Sequence, residues 1–269
     1  MPQCDWQQKS PSYAQDLPDL VDGQGRRHTY LRISVTDRCN LRCVYCMPPE
    51  GICRKPRQRI LRFDEILRLV RLLARMGVCK VRLTGGEPLV RRDIEQLVAQ
   101  LAAVPGIETI GLTTNGVLLA GLAGALRKAG LTRLNVSLDT LRPERFRRIA
   151  LRDDYAAVRA GIEAALRAGF APLRLNVVVM SGINDDELSD FVRLTADQPF
   201  DIRFIEYMPF QANRWHEAAF VSSRTMLERI EREFPLVRCD VDPQATTAGK
   251  QFRARGFAAG LAAHGIGTA

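Results

Sequence analysis

Residues 31–46 read Leu31-Arg32-Ile33-Ser34-Val35-Thr36-Asp37-Arg38-Cys39-Asn40-Leu41-Arg42-Cys43-Val44-Tyr45-Cys46. The first six alternate and are rich in β-formers, which predicts a strand. That strand runs into a loop carrying three thiols at i, i+4 and i+7. Such spacing lets one loop bring three sulfurs to a single point. A structural zinc site ordinarily takes four protein ligands in paired knuckles, and no second CxxC or nearby His pair completes one here. A 4Fe–4S cluster is the other soft-thiolate option, and it ordinarily takes four cysteines. On three, one iron keeps an open position, which makes the loop a place for chemistry. A chance cluster of thiols and a partial zinc site are the remaining readings.

Working outward, Pro48, Pro49, Gly51 and Pro56 mark irregular structure after the loop. Residues 64–76 then carry apolar side chains at 66, 67, 69, 70, 72 and 73, a helical spacing closed by Gly77. Strand and helix patterns alternate from there on. Strands are expected at 79–84, 107–113, 132–138, 173–180 and 202–207, and helices at 91–104, 118–129, 154–168, 185–196 and 223–234. Together these make six strand-then-helix units, which argue for an α/β protein with a parallel sheet and right-handed crossovers. Periodicity fits both an open doubly wound sheet and an incomplete (βα) barrel.

Every unusual motif falls at a strand end, where barrel enzymes place their active sites. Gly85-Gly86-Glu87-Pro88 follows the second strand. Two glycines let backbone approach a ligand closely, and Glu87 offers a carboxylate, although a plain βα turn uses the same residues. Thr113-Thr114-Asn115-Gly116 follows the third strand and Asn135–Asp139 covers the end of the fourth. Arg174 and Asn176 interrupt the apolar fifth strand. A charge on a buried strand needs a partner, and a substrate phosphate or an internal carboxylate would serve. Arg203-Phe204-Ile205-Glu206-Tyr207-Met208-Pro209 closes the sixth; a methionine there packs on an adenine or simply fills the core.

At 269 residues and 46% hydrophobic content, the chain supports one large domain. No run of eighteen apolar residues appears, so no membrane span is expected. Residues 1–20 are polar, with Cys4, Trp6, Lys9 and Asp16, which does not read as a signal peptide and points to the cytoplasm. Seven cysteines, three of them in a tight cluster, suit a reducing compartment. Cys79 reads as a buried small hydrophobe, Cys53 as a bystander, and Cys4 and Cys239 carry no motif. The formal charge of +9 comes mostly from arginine, with lysine only at 9, 55, 80, 128 and 250. Arginine suits phosphates and carboxylates, which is compatible with a nucleotide or a nucleic acid.

The CxxxCxxC motif with an aromatic before its last cysteine resembles the signature of the radical S-adenosylmethionine (SAM) enzymes. That resemblance implies a partial TIM barrel of six βα units and a 4Fe–4S cluster on Cys39, Cys43 and Cys46. It also implies that SAM chelates the open iron and is cleaved to a 5′-deoxyadenosyl radical. Longer stretches narrow the likeness to the GTP 3′,8-cyclases of molybdenum cofactor biosynthesis: LRISVTDRCN (31–40), VRLTGGEPLVRR (81–92), GLTTNG (111–116), LNVSLD (134–139), NVVVMSGINDD (176–186) and IRFIEYM (202–208). It covers about residues 25–240. Carried over by position, it implies SAM contacts at Tyr45, Gly86, Glu87, Ser137 and Met208. It implies GTP contacts at Arg32, Arg82, Thr113 and Arg174, where the family usually has lysine at the last. The reaction implied is hydrogen abstraction from the GTP ribose and attack of the carbon radical on the guanine ring.

On this reading residues 1–28 form an N-terminal arm, 29–240 the barrel, and 241–269 a truncated or divergent tail. The family carries a second 4Fe–4S cluster and a Gly-Gly tail in its C-terminal segment, and no cysteine follows Cys239 here. One cluster, impaired cyclisation and no second cluster are therefore expected. The cyclic pyranopterin monophosphate synthase is the implied functional partner; a homodimer is allowed, and neither nucleic acid nor membrane is called for. The rival readings are a radical SAM enzyme on another substrate such as a peptide, an inactive cluster-binding remnant, and a nucleic-acid binder supported by charge alone.

Overall fold

The structure is a computed structural model that describes residues 17–48, 50, 51, 55–209, 213, 215–239, 250–254, 257 and 261–264. Six parallel strands form its frame: β1 (Tyr30–Ser34), β2 (Lys80–Thr84), β3 (Thr109–Thr114), β4 (Arg133–Ser137), β5 (Leu173–Val179) and β6 (Phe200–Glu206). They pair strictly in chain order, each parallel to the next. That order separates the two architectures left open by periodicity. A doubly wound sheet reverses direction at a switch point, whereas this one advances around a single wall as a barrel does.

Burial agrees. β5 hides Leu173, Leu175, Val177 and Val179 against helices and turns Arg174, Asn176 and Val178 to its other face. β6 buries Phe200, Ile202, Phe204 and Glu206 and turns away Asp201, Arg203 and Ile205. Both faces of a doubly wound sheet would be apolar. Here the core lies between sheet and helices, and the concave face is polar.

Helices α1 (Phe63–Ala74), α2 (Ile94–Ala102), α3 (Leu119–Lys128), α5 (Tyr155–Arg167), α6 (Leu188–Asp197) and α7 (Ser223–Glu231) follow the strands as the spacing predicts, within a few residues at each end. α1 turns Ile66, Leu67 and Val70 to the core, and Ser222 caps α7 by accepting from Thr225 N at 3.1 Å. One helix was not expected. α4 (Pro143–Ala150), of sequence PERFRRIA, buries only Phe146, Ile149 and Ala150, too short an apolar stripe to register as a period.

Beyond β6, the described residues add three strands that periodicity did not mark. β7 (Leu236–Arg238), β8 (Lys250–Ala254) and β9 (Leu261–His264) extend the sheet, β9 parallel to β6 and the other two antiparallel. Phe257 packs edge-on against Phe234 at 5.8 Å. This stretch shows no hydrophobic alternation because main-chain pairing, which most sequences supply, joins it to β6. The expectations on the second cluster and on Cys4 and Cys53 fall largely on residues outside those described. Cys79, read as buried, is half-buried just before β2. Among the described residues, no helix is long and apolar enough to cross a membrane.

Candidate active site

The three-cysteine loop is fixed by main-chain contacts from both sides. On one side Gly86 N donates to Thr36 O and Glu87 N to Arg38 O, both at 2.7 Å. A Cβ on Gly85 would lie 2.5 Å from Thr36 O, and one on Gly86 would overlap the Arg38 carbonyl. The glycines expected to admit a ligand thus admit, first, the backbone of the loop itself. On the other side Arg42 N donates to Ala150 O at 3.0 Å and Val44 N to Ile149 O at 2.9 Å. Those acceptors are the last carbonyls of α4, freed because Leu151 turns left-handed with φ 53°. A branched residue holds that conformation at a cost of about 1–3 kcal/mol. The overlooked helix is therefore the loop's second support.

Within the loop, Cys46 N donates to Cys43 O at 2.9 Å, a turn that keeps those two residues close. Cys39 and Cys43 are half-buried and Cys46 is exposed. Burial, first of all, pushes all three thiols above their ordinary range, and Cys43 feels the charges of Asp139, Cys39 and Cys46 as well. Three thiolates cannot coexist there without compensating cations. Among the described residues no three His, Cys, Asp or Glu side chains gather closely enough for one metal ion. Three thiols on one short loop are a donor set that fits an iron–sulfur centre with one iron left open.

Tyr45 and Asp139 tie this loop to the far strands. Asp139, 7% exposed after β4, accepts from Val178 N at 2.9 Å and from the Tyr45 hydroxyl. Burial lifts its pKa to about 6, while the two donors pull it back. The Tyr45 ring rests on a small apolar group of Ile149, Met180, Tyr207 and Ala219. Asn213 Nδ2 donates both to Tyr45 O at 3.1 Å and to Met208 O at 2.9 Å, which draws the end of β6 to the loop. Sequence reasoning quoted Asp139 without giving it a task. A short polar residue after an apolar strand was the only signal.

Glu87 is 1% exposed and accepts three hydrogen bonds from the protein: Leu89 N at 3.0 Å, Thr114 Oγ1 at 2.6 Å and Asn115 N at 2.7 Å. Its carboxylate welds the β2 and β3 loops together. Burial still raises its pKa. Ser137 stands half-buried at the end of β4, level with Asn176.

On the concave face, Arg32 of β1 and Arg82 of β2 are register partners. Tyr30 Oη accepts from Arg82 Nε at 2.7 Å, and Thr113 Oγ1 lies 3.4 Å from Arg82 Nη1. A Cβ on Gly111 would sit 2.9 Å from the Arg82 guanidinium, so glycine there lets that side chain lie across β3 without shifting. Arg174 faces an internal carboxylate, Asp201, at a loose 3.4 Å. Arg203, unremarked in the sequence, joins them. Burial, with the charges of Arg174 and Arg82 added to it, lowers its pKa to about 10. Its Nε and the Asn176 Oδ1 are buried with no hydrogen-bond partner among the described residues. Arg82, Arg174 and Arg203 so crowd one another beside Asp201, the one close carboxylate among the described residues. Such crowding of guanidiniums has the chemistry that suits a polyanion.

The predicted residues therefore form two groups. Cys39, Cys43, Cys46, Tyr45, Gly86, Glu87 and Met208 meet around the loop, Arg82, Thr113 and Arg174 meet on the concave wall with Arg32 beside them, and Ser137 stands apart from both at the end of β4.

Residues 33–195 match the Radical SAM superfamily. The chain belongs to the radical SAM superfamily. Among curated relatives of this radical SAM protein, the GTP 3′,8-cyclase of Moorella thermoacetica is 51% identical over 81% of the chain and 67% of its own length. Molybdenum cofactor biosynthesis protein 1 of Bos taurus is 49% identical over 88% of the chain, which spans only 37% of that longer relative. The mitochondrial GTP 3′,8-cyclase of Arabidopsis thaliana is 45% identical over 85% of the chain and 59% of its own length. Among solved structures, Streptococcus suis SuiB bound to S-adenosylmethionine aligns with a TM-score of 0.64 at 17% identity, covering 89% of the chain and 51% of SuiB. Methylornithine synthase aligns at 0.59 and 18% identity, over 75% and 61%. At such identities the structures speak for the radical SAM fold alone.

Proposed function

We propose that this radical SAM protein is a GTP 3′,8-cyclase of molybdenum cofactor biosynthesis. The observation that carries the substrate is the cluster of three guanidiniums, Arg82, Arg174 and Arg203, set against the carboxylate of Asp201 on the concave wall of a chain whose relatives at 45–51% identity are named for this reaction or this pathway.

On this reading Cys39, Cys43 and Cys46 hold a 4Fe–4S cluster, which when bound and reduced supplies a radical from SAM. Tyr45, Gly86, Ser137 and Met208 line the SAM side, with Glu87 bracing the loop that presents Gly86. Arg32, Arg82, Thr113, Arg174 and Arg203 grip the triphosphate. Gripping one end of GTP holds its ribose and guanine against each other, so that intramolecular attack gains from proximity. The cytoplasm, and a cyclic pyranopterin monophosphate synthase to consume the product, complete the proposal, which allows a homodimer.

Equilibrium titration of GTP into the protein tests the grip. Arg82→Gln and Arg203→Gln each remove a charged donor worth about 1.5–3 kcal/mol, so affinity falls roughly 10- to 100-fold. Added salt weakens the wild type as well. GTP that fails to bind, or binds both variants equally well, would sink the substrate assignment in favour of a radical SAM enzyme acting on a peptide.

A further inference from the structure

The side-chain amide of Asn115, in the loop after β3, has one orientation open to it. Its Oδ1 accepts from Val117 N at 3.1 Å, which leaves Nδ2 facing the other way. That Nδ2 donates to Asn40 Oδ1 at 2.8 Å and reaches Cys39 Sγ at 3.8 Å, within range for a sulfur acceptor. The main-chain N–H of the same residue is spent on Glu87 Oε2 at 2.7 Å. Asn115 is thus clamped at backbone and side chain, with its last free proton directed at a half-buried sulfur. Cys39 Sγ accepts one further bond, from Leu41 N at 3.4 Å. That donor is main chain and indifferent to sequence; the bond from Asn115 depends on its side chain.

We propose that Asn115 is a positioning residue for the cluster, holding Cys39 through an N–H···S bond and setting the ease with which the cluster accepts an electron. The inference rests on Cys39 being a cluster ligand and is independent of the substrate. A hydrogen-bond donor at a ligand sulfur favours negative charge there. The reduced cluster carries one electron more than the oxidised, so the donor stabilises it more and raises the reduction potential. Asn40 fixes the amide plane so that the second N–H points at sulfur.

The test compares wild type with Asn115→Leu, which keeps the volume and removes the donor, and Asn115→Asp, which keeps the acceptor for Val117 N. Each is reconstituted anaerobically with iron and sulfide, without SAM or GTP. Iron and sulfide content and the midpoint potential from a reductive titration followed by electron paramagnetic resonance are then measured. Full cluster content with a midpoint more negative than wild type in both variants, further for Asn115→Asp because of its charge, is the expected result. A wild-type midpoint in Asn115→Leu overturns the proposal. If only Asn115→Asp keeps a cluster, a midpoint at or above wild type overturns it. Folded variants that both lose the cluster also overturn it, since Asn115 would then serve assembly instead of potential. Wild-type protein that takes up no iron removes the ligand reading and this inference together. Failure of GTP to bind leaves the measurement untouched.

Discussion

Glu87, at the end of β2, spends its carboxylate on Leu89 N, Thr114 Oγ1 and Asn115 N, whereas Arg203, on the concave face of β6, keeps a buried Nε that bonds to nothing among the described residues. The first region is closed on itself. Its glycines meet backbone, its carboxylate meets donors, and α4 lends it two carbonyls. The second brings guanidiniums together against their own repulsion. Polar groups are buried without partners only where something else completes them or strain is stored. The contrast thus separates a scaffold that the chain finishes by itself from a surface that, on the proposed function, an anion finishes.

The sharpest way to break this contrast is Gly86→Ala. Its methyl overlaps the Arg38 carbonyl, so the loop must shift, and reconstituted iron content should fall to near background. Wild-type iron content would show that the loop is not held there. Glu87→Ala comes next, because it orphans the Thr114 hydroxyl and the Asn115 N–H in a dry site. At about 1–3 kcal/mol for each stranded group, denaturant unfolding of the metal-free protein should show a loss on the order of 4 kcal/mol.

Asp139 gives a pH-dependent version of the same test. Its folded pKa of about 6 lies above the ordinary 3.8, so the folded protein holds that proton more tightly than the unfolded chain. The stability this contributes is complete below about pH 4 and is lost as pH rises to 6, a span that corresponds to about 3 kcal/mol. Asp139→Asn should flatten that slope in unfolding of the metal-free protein between pH 4 and 7. An unchanged slope would place the titration elsewhere.

On the concave wall the sign differs. Arg203→Ala should leave ligand-free stability within about 1 kcal/mol of wild type, because it relieves repulsion as it removes packing, while abolishing most of the rise in melting temperature that GTP causes. A large loss without ligand would contradict the assignment of that wall to substrate. Tyr30→Phe is the mildest change. Without the hydroxyl that accepts from Arg82 Nε, GTP affinity should drop about fivefold, near 1 kcal/mol.

Much of this was legible in the chain. The six βα units stand out because each helix keeps an apolar stripe and each strand an apolar face. The loop thiols stand out because their spacing serves a cluster better than a core. Sheet winding was not legible from periodicity, since strand order is set by which neighbours pair and leaves no local trace. α4 was missed because three buried side chains in eight residues carry too little pattern. Arg203 was missed because an arginine in a strand reads like any alternating polar residue; only its register beside Asn176 and its crowding by Arg174 and Arg82 single it out. Asn115 was quoted only within the motif after the third strand, and its reach to a sulfur 76 residues away in sequence is a tertiary fact.

The most direct measurement is an anaerobic assay of the iron-reconstituted protein with reductant, SAM and GTP, following 5′-deoxyadenosine and 3′,8-cyclised GTP together. A radical SAM GTP cyclase forms both, and Cys39→Ala forms neither. Iron-loaded protein that cleaves SAM at the same rate with and without GTP, and leaves GTP unchanged, would contradict the assignment of the arginine wall to that nucleotide.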